Sequence, residues 1–140
     1  MASRRKARIL AFQALYAWDA SKTAKQELLN FSWIGEKSAA RDDEELKAFA
    51  SLLICGTLEN IDAIDEAINA HLKNWVLERL KKVDLAILRV SVYSLLFQKD
   101  MPAQITMDEA IEIAKEYGSD ESYRFINGIL DSIWKEKKIQ

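Results

Sequence analysis

A chain of 140 residues, 49% hydrophobic and 30% charged, is long enough to bury a core and too apolar to stay disordered. A formal net charge of −2 excludes a uniformly basic nucleic-acid protein, and four glycines with one proline argue for long helices over a many-turned β fold. The charge is unevenly spread: residues 1–25 carry six basic residues and one acid, whereas residues 42–66 carry eight acids and one base. Such asymmetry predicts separate surfaces for separate partners.

The first predicted helix runs from Ser3, its expected cap, to about Asp19-Ala20-Ser21. Its opening turns hold Arg4, Arg5, Lys6 and Arg8, and its body is almost wholly apolar or small, with Ile9, Phe12 and Leu15 as core candidates. A body that apolar must be enclosed. A helix N-terminus favours acids, so four cations there need a reason. At 100° per residue they fan around the axis as a cationic knob, which reads either as a solvated end or as an anion site. Lys25 to Ile34 predicts a short second helix stopped by Gly35, and 35–41 reads as a loop. A long helix is expected from Asp43 to Leu72, with Asp42 to Glu45 suiting its N-terminal dipole and Leu46, Phe49, Leu53, Ile61, Ile64, Ile68 and Leu72 at helical spacing. It would be shared between two sub-bundles or bend at Gly56, where close backbone packing is expected.

Trp75 to Lys81 predicts a short amphipathic turn. Asp84 is the expected cap of a buried helix ending at Phe97, broken by Asp100-Met101-Pro102. Thr106-Met107-Asp108-Glu109 has the form of a capping box for a helix that ends at Tyr117-Gly118. Ser119 or Asp120 is expected to cap a last helix reaching Lys137. The fold class is therefore all-α: about seven helices in two small helical sub-bundles, packed as one domain over residues 1–140.

Catalytic and metal chemistry find no constellation. His71 is the only histidine and Cys55 the only cysteine, and no phosphate loop, dinucleotide turn or zinc motif is present. His71 reads as a structural helix-end residue and Cys55 as a small hydrophobe. One cysteine forms no internal disulfide, which suits a reducing cytoplasm. No secretory leader is recognisable and no apolar run approaches the roughly 18 residues of a membrane helix. A cytoplasmic protein without catalytic residues, metal or cofactor is expected. Near the C-terminus, Tyr117, Arg124 and Phe125 combine rings with a guanidinium, the parts that stack unpaired bases and hold phosphate, although Phe125 also fits a core stripe with Ile129 and Ile133.

Three blocks resemble the NusB family of bacterial antitermination factors. They are Arg4-Arg5-Lys6-Ala7-Arg8 leading into Ala11-Phe12-Gln13-Ala14-Leu15-Tyr16; Val83-Asp84-Leu85-Ala86-Ile87-Leu88-Arg89 with Tyr93-Ser94-Leu95-Leu96; and Asp108 to Lys115, Tyr117-Gly118, then Phe125 to Asp131. Residues 20–42 show no specific match. The resemblance implies an all-α fold of two sub-bundles, without catalysis or cofactor. It implies binding to the single-stranded boxA element of nascent ribosomal RNA as a heterodimer with ribosomal protein NusE, and read-through of terminators by RNA polymerase with further Nus factors. Carried over by position, RNA contacts fall on Arg4, Arg5, Lys6, Arg8, Tyr117, Glu121, Arg124 and Phe125, and the NusE-facing surface on Tyr16, Glu78 and Asp84. Ile9 stands where many relatives have an acid, and Tyr117 where some have Phe. A methyltransferase fragment, a protein-interaction module that touches no RNA and a homodimer are the alternatives.

Overall fold

The architecture turns on one helix, α5 (Lys82–Phe97), whose residues Asp84 to Val92 are buried without interruption, together with Ser94 and Leu95. A helix apolar on every side must be surrounded. In the computed structural model, which describes residues 4–35, 38–73 and 76–139, α5 packs against α1 (Arg4–Ser21), α3 (Glu44–Glu59), α4 (Ile61–Ala70), α6 (Ala103–Tyr117) and α7 (Ser122–Ile139). α1 and α3 pack on each other, with the short α2 (Lys25–Leu29) against both; α6 and α7 form the second group. Seven α-helices and two 3-10 turns, with no strand, make up the described residues, and one continuous apolar cluster links the two groups. The shared element is α5, not the predicted long helix.

That long helix is two. Asp43 caps α3 through its carboxylate, which accepts from the Leu46 amide at 3.0 Å. The break falls at Asn60 rather than Gly56: the Asn60 side chain donates to the Gly56 carbonyl at 2.8 Å and its own amide bonds the same oxygen. Ile61, Ile64 and Ile68 keep the apolar spacing across the break, so periodicity alone could not reveal it. Gly56 does serve close packing, since a Cβ there would overlap the Tyr93 ring of α5.

Other ends differ for local reasons. α2 stops at Leu29 because Asn30 accepts from the Ser32 amide at 3.0 Å, while Phe31 takes φ 55° to bury its ring. The following segment holds a 3-10 turn, Ala39–Asp42, capped by Ser38. Asp84 does not cap α5, which begins at Lys82; it lies in the first turn, where a carboxylate still complements the helix dipole. The Thr106–Glu109 capping box is not made. Pro102 starts α6 at Ala103, the Thr106 amide bonds the Pro102 carbonyl, and Glu109 is engaged elsewhere. α6 does end at Tyr117. Gly118 is required there for space, since a Cβ would lie 2.6 Å from that of Ser122. α7 starts at Ser122, whose hydroxyl accepts from the Ser119 amide at 2.9 Å. The turn predicted from Trp75 appears as the 3-10 turn Leu77–Arg79, with Trp75 itself and Ser3 outside the described residues. His71 ends α4 and pairs with Glu136 at 2.7 Å. Cys55 is half-buried.

Candidate nucleic-acid interface

The head of α1 is built by two neighbours. Phe49 of α3 lies under it, with the Arg4 guanidinium 4.1 Å and that of Arg8 5.9 Å from the ring centre. Glu109 of α6 takes the fork of Arg5: Nε donates at 2.6 Å and Nη2 at 3.2 Å. This carboxylate raises the Arg5 pKa above its ordinary value, and Glu112 and Glu116 add to the effect. Arg4, Arg5 and Lys6 are exposed, whereas Arg8 is only 7% exposed. Burial lowers the Arg8 pKa against the opposing pull of Glu109. Its Nη2 points to the Met101 sulfur at 3.4 Å, and its Nε has no hydrogen-bond partner. The predicted four-cation fan is therefore three exposed cations over one buried guanidinium.

Tyr117, at the far end of α6, meets α1 again. Its ring stands edge-on to Phe12 at 5.1 Å, and partial burial raises its pKa. From Glu109 to Tyr117 is two helical turns, about 12 Å. The head and Tyr117 thus lie along a single α1–α6 seam. Tyr117 also borders a shallow groove of ≈ 170 Å³ with Phe12, Gln13, Tyr16 and Val83. The exposed ring of Tyr16, expected to face a protein partner, therefore shares a groove with a residue expected to face RNA.

On the other side of the α5 N-terminus, Phe125 and Glu121 line a hollow of ≈ 260 Å³ with Arg79, Lys81, Asp84 and Ser119. Phe125 is half-buried, packed on the core while bordering this hollow, so its two sequence readings are compatible. Asp84 is 7% exposed and its Oδ1 has no hydrogen-bond partner; Glu78 is exposed on the 3-10 turn. Arg124 is exposed and its Nε donates to the Tyr123 hydroxyl at 3.1 Å, which raises its pKa. Lys115 Nζ lies 5.1 Å from the same ring. Tyr123 and Lys115 were not singled out in the sequence, although the ring's position next to Arg124 was a usable signal. Glu109 has the local pattern of a cap, and nothing local announces a partner 104 residues away. Among the described residues no group of three or more His, Cys, Asp or Glu side chains is placed to hold a metal, and no helix is long and apolar enough to cross a membrane.

The model of the NusB family matches residues 5–135, taking in the head of α1, α5, the Tyr117 turn and most of α7. The chain belongs to the NusB family. A transcription antitermination protein NusB from Treponema denticola is 53% identical over 130 residues, covering 93% of this chain and 94% of the relative. The solved NusB of T. maritima superposes with a TM-score of 0.84 at 41% identity, covering 97% of this chain and 94% of that one. A crystal structure of antitermination factors NusB and NusE in complex with dsRNA matches with a TM-score of 0.84 at 28% identity, covering 95% and 96%. The Treponema denticola relative, matched over nearly its whole length, carries the name of a transcription antitermination protein.

Proposed function

We propose that this NusB-family chain acts as a single RNA-binding domain that recognises boxA-type single-stranded RNA in nascent ribosomal transcripts, in the cytoplasm and as a heterodimer with NusE. With further Nus factors it lets RNA polymerase read through terminators. The observation that supports this best is the α1–α6 seam, which joins exposed cations at one end to an exposed aromatic ring at the other. In this reading Arg4, Arg5 and Lys6 neutralise phosphates and set the salt dependence. Arg8, buried beneath them, adds positive potential and holds the head in place. Tyr117, Arg124 and Phe125 contact unpaired bases, which stack on rings and on guanidinium planes. Glu121 borders the same hollow as Phe125 and supplies an acceptor for base donors. Tyr16, Glu78 and Asp84 face NusE; the groove that Tyr16 shares with Tyr117 supports a protein partner bound next to the RNA.

Titration of a boxA-type RNA against the NusE complex at several salt concentrations tests this. Replacing Arg4 and Arg5 together with Ala flattens the salt slope by about one unit per lost phosphate contact. Tyr117→Ala weakens binding by about 1–3 kcal/mol with little change in slope. Unchanged affinity and slope in both variants would overturn the assignment.

A further inference from the structure

Between the two ends of the proposed RNA site, the α6 side of the seam carries a row of carboxylates. Glu109, Glu112 and Glu116 follow at i, i+3 and i+7 on α6 and so share one face of that helix. Glu109 holds Arg5, and the other two stand close enough to act on the same guanidinium. Lys115 offsets Glu112 only from 3.8 Å. The edge of Arg5 that Glu109 occupies, Nε with Nη2, is one of the two edges that can receive a phosphate bidentately, and the other shares Nη2 with it. A polyanion reaching Arg5 through that edge must first displace the carboxylate. A phosphate chain laid along α6 towards Tyr117 then meets two more carboxylates.

We propose that Glu109 is a specificity-determining residue, occupying the fork of Arg5 and, with Glu112 and Glu116, keeping polyanions that make no base contacts off the α1–α6 seam. This rests on the RNA-binding reading above and deepens it. An RNA held through its bases keeps its phosphates on the α1 side, where they meet Arg4, Lys6 and the Nη1 side of Arg5, and leaves the Arg5–Glu109 pair closed. A polyanion without bases has only the cations to bind, and the closed pair withholds the Nε/Nη2 edge of Arg5 from it. The carboxylates also face base edges, whose amino groups they accept from.

The test compares Glu109→Gln with Asp108→Asn. The control removes one exposed carboxylate from the same turn, which accepts from Gln104 and holds no arginine. Three probes are used with the full chain in its NusE complex: heparin, a boxA-type RNA and a scrambled RNA of equal length. Glu109→Gln is expected to tighten heparin by about two- to five-fold, the range that breaking an exposed ion pair allows. Its salt slope steepens by up to about one unit, while Asp108→Asn changes both by less. The boxA-type RNA stays within about two-fold and the scrambled RNA tightens like heparin, so selectivity narrows. In an Arg5→Met background, Glu109→Gln adds nothing beyond Asp108→Asn. The proposal is overturned if Glu109→Gln binds heparin no more tightly than the control, if the tightening survives the loss of Arg5, or if boxA-type and scrambled RNA tighten equally. A wild-type protein that does not distinguish the two RNAs defeats the RNA reading instead, and the heparin series still judges the clamp on Arg5.

Discussion

Arg89 and Arg5 present the same edge to a carboxylate: Nε and Nη2 of Arg89 reach Asp65 at 2.8 and 2.9 Å, and those of Arg5 reach Glu109 at 2.6 and 3.2 Å. Their surroundings separate them. The Arg89 side chain is 7% exposed, has Asp19 of α1 3.6 Å away and lies 5.4 Å from the Trp18 ring, so it ties α5 to α4 and α1. The Arg5 side chain is 48% exposed and sits at the rim of the α1–α6 seam. Water screens the second pair through its exposed guanidinium and reaches the first only at its carboxylates. Identical fork geometry therefore makes an internal tie at one place and an exchangeable contact at the other.

Stability measurements sharpen the contrast. The largest effect is expected from Asp65→Asn, because it strands a buried guanidinium with a single distant carboxylate. A loss of about 3 kcal/mol follows, read by urea denaturation. Arg89→Met is expected to cost less, about 1–2 kcal/mol, since Asp65 and Asp19 are left with access to water and the thioether fills most of the space. The reverse order would mean that the carboxylates are the strained partners. Smallest is Arg5→Met, whose unfolding free energy should stay within about 0.5 kcal/mol of the parent because its pair is exposed. A loss comparable to that of Arg89→Met would make the Arg5–Glu109 pair structural and remove the basis for treating it as a gate.

The site was legible in unequal parts. Tyr117 announced itself by its place before Gly118, and that helix end is where expected. The core packing of Phe125 shows in its spacing with Ile129 and Ile133, whereas the hollow it borders does not. The head of α1 is visible as charge, but nothing in the sequence separates buried Arg8 from its exposed neighbours. Glu109 fits a capping box only on a local pattern that Pro102 overrides by starting α6 four residues earlier. The long acidic helix hid its break because the apolar phase runs on through Asn60, and only the side-chain bond to the Gly56 carbonyl marks it.

Periodicity, caps and breakers act within a few residues of chain, so the all-α class, most helix cores and the helix end at Tyr117 could be read before any folding was known. Burial and ion pairing depend on which distant residues come to face each other. α5 as the shared centre, Arg8 sunk beneath the head and the hold of Glu109 on Arg5 follow from packing alone. The same arginine at the same helical position is a surface cation or an internal one according to what the fold brings against it.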